Sequence, residues 1–396
     1  VVLCDVKLPD GNGVEMVERI KQAMPSAEVI LLTAYGNIPD GVQAIKNGAF
    51  DYITKGDDNN KILPLLSRAT EKAQMQRRLA RLEDKLSEEH SFDRIIGSSE
   101  SLRSAVALAR KVAVTDTSVL LTGETGTGKE VFAQAIHHAS PRAKGAFVAV
   151  NCSAFSKELL ESELFGHRAG SFTGATKDKK GLFEEADKGT LFLDEIGNLP
   201  PHLQSKLLTA IQGGRIFRVG SNTPVAVDIR LICATNRDLF GMVARGGEFR
   251  EDLLYRINTI HIDLPPLRQR REDILPLAEM FLKRYATKYN KPIEGFDQAA
   301  VREMDEYPWA GNIRELQHTV EKAVIMSDGR RITPATLLLR PAPAAVQALA
   351  FSTLEEMERG MIGQAMARYA GNLTEVARQL GITRQTLYNK IKRYGL

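Results

Sequence analysis

Two short stretches of this chain carry the residue types that phosphate chemistry needs. Val119-Leu-Leu-Thr-Gly-Glu-Thr-Gly-Thr-Gly-Lys129 is an apolar run ending in a glycine-rich loop. Gly123, Gly126 and Gly128 leave backbone N–H groups free to wrap phosphate oxygens, and a helix expected from Glu130 adds its N-terminal dipole. Lys129 is expected on the β- and γ-phosphates of ATP, with Glu124, Thr125, Thr127 and Glu130 completing the nucleotide-binding segment. Glu130 stands where such loops usually carry Ser or Thr, so the loop supplies no assigned Mg²⁺ ligand. The second stretch, Gly189-Thr-Leu-Phe-Leu-Asp-Glu195, is an apolar strand closing on two acids. Two carboxylates at the end of a hydrophobic strand need a cation or a reaction to justify them. Asp194 is expected to hold Mg²⁺ through water, and Glu195 to polarise an attacking water.

Between these motifs runs Glu163-Leu-Phe-Gly-His-Arg-Ala-Gly-Ser-Phe-Thr-Gly-Ala175. Gly166, Gly170 and Gly174 recur at every fourth position, which a helix interior would not accept, since each Gly costs about 1 kcal/mol against Ala. A flexible loop is expected, with Phe172 and Thr173 at its tip. A large apolar side chain in such a place suggests a partner contact. The segment from Gly170 to Ala175 resembles the GAFTGA loop by which NtrC-like activators engage the sigma-54 form of RNA polymerase, with Ser171 in place of Ala. The GETGTGKE run ending at Glu130 is also that family's version of the phosphate loop. The resemblance implies that Gly170, Ser171, Phe172, Thr173, Gly174 and Ala175 contact sigma-54.

The same resemblance, to an AAA+ subgroup, implies further roles that spacing alone does not reveal. Asn151, in Ala-Val-Asn-Cys, resembles the residue that holds the catalytic Glu until ATP is sensed. Thr235 and Asn236 resemble sensor I. Phe249-Arg-Glu-Asp-Leu-Leu-Tyr-Arg256 resembles the arginine-finger segment, with Arg250 and Arg256 reaching a neighbour's γ-phosphate. Trp309-Ala-Gly-Asn-Ile-Arg314 resembles sensor II, with Arg314 as its arginine, and Arg284 is a further nucleotide-contact candidate. Fingers supplied in trans imply a ring, so a homo-oligomer is expected, from dimer to hexamer or heptamer.

These groups need elements to position them. Val1-Val-Leu-Cys-Asp5, Val29-Ile-Leu-Leu-Thr33 and Phe50-Asp-Tyr-Ile-Thr-Lys55 read as strands. They alternate with helices carrying Val14, Val17, Ile20 and Met24, then Val42 and Ile45. Such alternation implies a doubly wound sheet whose functional groups gather at the strand C-terminal ends. Asp5, Thr33 and Lys55 occupy those ends. This region resembles a response-regulator receiver of flavodoxin-like fold. By resemblance Asp5 is the phosphoacceptor, Thr33 and Tyr52 are switch residues, and Lys55 contacts the phosphoryl group. The receiver is expected to be truncated at its N-terminus, without the acidic pair that binds Mg²⁺. A charged helix follows, with Met75, Leu79, Leu82 and Leu86 spaced as a short coiled-coil seam.

Asn372-Leu-Thr-Glu-Val-Ala-Arg-Gln-Leu-Gly-Ile-Thr-Arg-Gln-Thr-Leu-Tyr-Asn-Lys-Ile391 fits a helix-turn-helix. Val376, Leu380, Ile382, Leu387 and Ile391 form its small core, Gly381 makes the turn and Thr383 caps the recognition helix. That sends Arg384, Gln385, Thr386 and Asn389 toward the major groove, and Lys390, Lys392 and Arg393 toward phosphate. The segment resembles the Fis-type domain that ends NtrC-like proteins, which implies enhancer DNA as a partner. Beyond Asn372 five basic residues face one acid, Glu375, and this surplus alone equals the net charge of +4 on the 396-residue chain.

Hydrophobic content of 43% and charged content of 26% are globular averages. Cys4, Cys152 and Cys233 form no C-x-x-C pair, which fits a reducing cytoplasm, and no apolar run is long enough to span a bilayer. The expected architecture is a multidomain α/β chain. It comprises a partial receiver (1–60), a linker helix (61–92), a P-loop α/β core of AAA+ type (93–264), a helical lid (265–338), a Pro/Ala linker (339–351) and an all-α helix-turn-helix (352–396). The expected function is a two-component activator of sigma-54 promoters, phosphorylated by a sensor histidine kinase and driven by ATP with Mg²⁺. Two rivals are weighed against it. An unfoldase or helicase would not need the GSFTGA loop, and an inactive repressor would not need Lys129, Asp194 and Glu195 intact.

Overall fold

The computed structural model describes residues 1–9, 11–34, 38–56, 59–172, 174–246, 248–339, 354–369 and 372–395. Thr173 and the Pro/Ala linker beyond residue 339 therefore lie outside the described residues. The chain divides into two units, Val1–Asp273 and Ile274–Leu396.

The first unit opens with three parallel strands, β1 (Val2–Asp5), β2 (Val29–Thr33) and β3 (Asp51–Thr54), in spatial order β1-β2-β3. Val14 and Val17 of the helix Gly13–Ala23 bury against this sheet. Met24 does not join them: it is the C-cap of that helix and exposed, as are Val42 and Ile45 on the next helix. A small hairpin, Lys7–Leu8 against Gly11–Asn12, intervenes where no strand is expected. Gly13 is required there, because a Cβ would stand 2.1 Å from the Asp5 carbonyl oxygen.

The long helix Asn59–Glu89 is more than a linker. Its first turns carry Ile62, Leu65, Leu66 and buried Ala69 onto Ile30 and Ile53 of the sheet. Lys72 on this helix and Lys21 bridge the fully buried Glu28, each at 3.1 Å. The boundary expected at residue 60 thus falls inside a packed element. Farther along, Met75 and Leu79 are exposed, as an unpaired seam would be, while the side chains of Leu82 and Leu86 lie outside the described set.

The core of the first unit is a five-stranded parallel sheet. Its strands are β4 (Val119–Thr122), β5 (Phe147–Asn151), β6 (Thr190–Asp194), β7 (Arg230–Thr235) and β8 (Ile260–Asp263), in spatial order β8-β4-β7-β6-β5. Central strands buried on both faces explain the unbroken apolar runs of the sequence. Val119, Leu121, Phe192 and Ile232 pack on one side, Leu120, Leu191, Leu193 and Cys233 on the other. All C-terminal ends point to one edge, where Gly123, Asn151, Asp194 and Thr235 emerge. Residues 265–273, expected in the lid, group with this unit by their contacts. The reason is a fully buried carboxylate: Asp273 accepts from the Ser98 and Ser99 N–H groups at 2.6 and 3.1 Å and from Ser99 Oγ at 2.6 Å.

The second unit contains the helices Ile274–Lys288, Gln298–Glu306 and Asn312–Met326. It ends in three more, Leu354–Arg368, Leu373–Gln379 and Arg384–Tyr394. Trp309 is fully buried and donates from Nε1 to the Met304 carbonyl at 2.8 Å. Val376, Ala377 and Leu387 bury in the small terminal core, with Leu380, Ile382 and Ile391 packed around them. Among the described residues no helix is long and apolar enough to cross a membrane.

Candidate nucleotide site, coupling loop and DNA-reading helix

The phosphate loop takes the backbone its glycines permit: Gly123, Gly126 and Gly128 have φ of 144°, 83° and 104°. A Cβ at Gly123 would also come within 2.7 Å of the Leu264 carbonyl oxygen, so only Gly fits. The helix that follows starts at Lys129, one residue earlier than expected. Lys129 is buried and its Nζ donates to the carbonyls of Gly123 and Glu124 at 2.8 and 3.2 Å. Thr127 is buried in the loop, and Glu130 is exposed on the first turn of the helix.

Register fixes the acids. Asn151 ends β5 directly opposite Asp194 on β6, and Asn151 Nδ2 donates to Asp194 Oδ2 at 3.2 Å. Asn151, expected to hold Glu195, therefore holds the neighbouring acid, because Glu195 lies one residue past the end of the paired strands. Glu195 has φ 53°, a left-handed conformation uncommon for a non-glycine residue and typical of functional turns. Its Oε2 accepts from the Asn236 N–H at 3.3 Å, while Asn236 Nδ2 donates to Thr125 Oγ1 at 3.0 Å. One side chain and one backbone group of Asn236 thus tie the catalytic-acid candidate to the phosphate loop. Thr235 is fully buried beside it, its Oγ1 accepting from the Arg237 N–H.

Two arginines here escape the sequence reading. Arg268 makes a bidentate pair with Glu124, at 2.6 and 2.7 Å, and Arg270 is buried with its Nη2 donating to the Thr127 carbonyl at 3.0 Å. The signal was present in Leu264-Pro-Pro-Leu-Arg-Gln-Arg270, basic residues just past a strand end, but needs β8 known to lie beside β4.

Arg250 pairs with Asp252 and donates to Ser205 Oγ at 3.1 Å. Arg256 is exposed and lines a cleft with Ser118, Asp228 and Thr259. Those residues precede β4, β7 and β8, so the cleft is at the N-terminal edge of the sheet, opposite the phosphate loop. Arg284 and Arg314 are exposed on their helices in the second unit.

The glycine-rich loop is braced rather than slack. His167 bridges Lys179 on one side and Val219 on the other. The Gly170 N–H donates to the Ala175 carbonyl at 2.8 Å, closing the tip, with Gly166, Gly170 and Gly174 at φ 76°, 81° and 105°. Ser171 packs against Gly220, where a Cβ would approach its Cβ to 2.6 Å. Glu184 and Arg218 brace the base by a bidentate pair at 2.6 and 2.8 Å, which holds the Glu184 carboxyl below its usual range. Phe172 at the tip is 41% exposed.

In the first three-stranded sheet Asp5 and Lys55 meet at 2.5 Å, and this hydrogen bond holds the Asp5 carboxyl below its ordinary value. Thr33 is buried at the end of β2, and its carbonyl accepts from the Lys55 N–H at 2.7 Å. The Tyr52 ring, on β3, lies against Gly41.

In the terminal unit Thr383 caps the last helix, accepting from the Thr386 N–H at 3.2 Å, and Gly381 has φ 66°. Arg384, Gln385, Asn389 and Lys392 are exposed. Two residues expected near phosphate carry ion pairs within the domain. Lys390 pairs with Glu358 at 2.5 Å and Arg393 with Glu355, both acids of the helix Leu354–Arg368. Their positions on the inner flank of the recognition helix turn them toward the domain's own first helix.

Four known domain families match in the order of these sites. They are the response regulator receiver domain (residues 1–67), the sigma-54 interaction domain (95–263), the AAA+ ATPase lid domain (268–348) and the Fis-family bacterial regulatory domain (353–394). The receiver match covers residues 1–67, so it runs past the boundary expected at residue 60 into the long helix Asn59–Glu89. The chain is 44% identical over 399 residues to the transcriptional regulatory protein ZraR of Klebsiella oxytoca, covering 99% of this chain and 88% of that one. It is 40% identical over 408 residues to the regulatory protein AtoC of Escherichia coli K12, covering 100% and 88%. Among solved structures, NtrX from Brucella abortus in complex with ATP superposes with a TM-score of 0.63 at 32% identity, covering 100% of this chain and 89% of that one.

Proposed function

The chain belongs to the NtrC-like family of sigma-54-dependent response regulators, AAA+ ATPases that bind nucleotide and DNA, and from that premise we propose how its residues divide the work. Lys129 and the N–H groups of residues 123–129 bind the phosphates of ATP. Glu195, held by the Asn236 N–H, orients and polarises the attacking water. Asn151 steadies Asp194, the carboxylate that would hold Mg²⁺. Among the described residues no three His, Cys, Asp or Glu converge as a metal cage. A single carboxylate beside a phosphate cradle suits Mg²⁺, which takes its remaining ligands from phosphate and water. When bound, it neutralises charge on the β- and γ-phosphates.

The observation that carries the oligomeric part of this reading is the position of Arg256. Sheet strands rise about 3.3 Å per residue, so a four- to six-residue strand separates its two edges by roughly 13–20 Å. Arg256 at the N-terminal edge is too far from its own phosphate loop to act there. Arg256, and by the family resemblance Arg250, therefore serve a neighbour's nucleotide, and the same resemblance makes the assembly a ring of six or seven subunits. Arg314 as sensor II and Arg284 as a further nucleotide-contact candidate are assigned by the family resemblance. The Gly170–Ala175 loop transmits the cycle to sigma-54, the terminal helix holds the ring at enhancer DNA, and Asp5 takes its phosphoryl group from a sensor histidine kinase in the cytoplasm.

Complementation tests the shared site. Glu195→Gln and Arg256→Ala should each lose ATPase activity, the latter by on the order of 10³-fold. Mixed in equal amounts they should regain a measurable fraction, because some interfaces then join an intact Glu195 to an intact Arg256. A mixture no more active than either variant alone, in rings shown to have exchanged subunits, would remove the trans assignment.

A further inference from the structure

His167 is not part of the nucleotide machinery and is not among the residues expected to touch sigma-54, yet its environment is built with care. The residue is 9% exposed. Its Nδ1 is 2.7 Å from Ser162 Oγ, on the helix Lys157–Phe165. Its ring meets Phe172 edge to face, with centroids 5.0 Å apart and planes at 68°. Its backbone N–H and carbonyl both pair with Lys179 at 3.0 and 2.9 Å, and the Val219 carbonyl accepts from the next residue's N–H. An imidazole held by three strands of chain and one hydroxyl cannot follow the tip of the loop if the tip moves. Phe172, on a tip hinged by Gly170 and Gly174, can.

The helix that carries Ser162 leads back to the hydrolytic centre. It begins at the Ser156 cap, just past Asn151, and the intervening turn is pinned by Asn198 Nδ2 on Ser153 Oγ at 2.7 Å. Glu161 on the same helix pairs with Lys206 on the helix Pro201–Gly213, which follows the two acids in the chain. Ser162 and His167 therefore stand on the side of the loop that can feel the nucleotide site, and Phe172 on the side that faces outward.

We infer that His167, anchored by Ser162, is a positioning residue that stows the Phe172 ring against the ATPase core, so that engaging sigma-54 requires the nucleotide cycle to pull the ring off it. An edge-to-face pair biases the stowed position by up to about tenfold, enough to make the contact conditional without making it inaccessible. This rests on the reading that Phe172 contacts sigma-54.

The test compares sigma-54 binding by the full chain without nucleotide, with ADP and with a slowly hydrolysed ATP analogue, alongside the ATPase rate. The wild type should bind sigma-54 only in the analogue state. Ser162→Ala and His167→Ala should keep ATPase activity within about twofold while binding at least several-fold better without nucleotide or with ADP. His167→Phe, which restores an aromatic edge without the anchor, should lie between wild type and His167→Ala. Should His167→Ala lose ATPase activity through misfolding, Ser162→Ala decides alone. Wild-type nucleotide dependence in Ser162→Ala and in every folded His167 variant would overturn the inference. Phe172→Ala separates the two levels. If it still binds sigma-54 in the analogue state, the contact reading itself fails. If it loses binding while the Ser162 and His167 variants behave as wild type, only the stowing role fails.

Discussion

At the scale of single residues, backbone conformation and burial set the chemistry. Glu195 sits at φ 53° because the strand pairing ends at Asp194, and the turn that follows aims its carboxylate at the Asn236 N–H. The three loop glycines are needed for the same kind of reason, and so were visible in the sequence. Asn151 was visible too, but its partner was not, since strand register decides which acid it reaches. His137, on the helix that follows the phosphate loop, shows what burial does to a titrating group. It is buried with Nδ1 2.9 Å from Thr190 Oγ1. Burial, and then the positive charges of His138 and Arg230, lower its pKa from 6.5 to about 4. The unfolded chain takes up a proton below pH 6.5 that the folded core refuses until about pH 4, so stability falls as the pH drops through that window. Between pH 7 and pH 5 the loss should be about 2 kcal/mol. Denaturant unfolding of the core, followed at both pH values, should show this loss in the wild type and a smaller one in His137→Phe. Equal pH dependence in the two would contradict it.

At the scale of elements, periodicity and turn chemistry revealed more than charge did. The apolar runs at Val119 and Thr190 are unbroken because both become central parallel strands, and the Gly381 turn with its Thr383 cap follows from residue type alone. Counting basic residues near the C-terminus did not reveal that two of them are paired, because Glu355 and Glu358 lie on an earlier helix and come beside Lys390 and Arg393 only when the domain folds. The same holds for Arg268 and Arg270, whose partners are more than a hundred residues earlier on the phosphate loop. The boundary near residue 60 was misplaced for a related reason: a heptad reads as a linker whether or not its first turns have a sheet to pack on. The recognition helix gives a direct comparison. Arg384→Ala should weaken binding to a duplex selected by the wild-type chain by about tenfold or more, the worth of one base-reading arginine. Lys390→Ala should cost less than about threefold, since its charge is already answered by Glu358. A titration in which both lose affinity equally would place Lys390 on the DNA after all.

At the scale of the whole molecule, four domain types in one order describe a relay: a phosphorylatable receiver, a hydrolytic core, a lid and a DNA anchor. Each was recognisable from local sequence, because each depends on short motifs that serve one function. Side-chain contacts were less legible, such as Lys72 on Glu28 and His167 on Phe172, because those side chains meet only in the fold. The central claim is that the Gly170–Ala175 loop converts hydrolysis into work on sigma-54, and Phe172 is where it can be separated from hydrolysis itself. Phe172 lies outside the phosphate loop and before the acids' strand, exposed at a tip whose base is braced by Glu184 and Arg218. Removing one exposed aromatic anchor at the centre of an interface typically costs 2 kcal/mol or more, roughly thirtyfold. The most direct measurement is open-complex formation on a sigma-54 promoter by wild type and Phe172→Ala, with the ATPase rate recorded in the same reactions. The expected result is an ATPase rate within about twofold of wild type and promoter opening reduced at least tenfold. Full promoter opening by Phe172→Ala at an unchanged ATPase rate would contradict the claim.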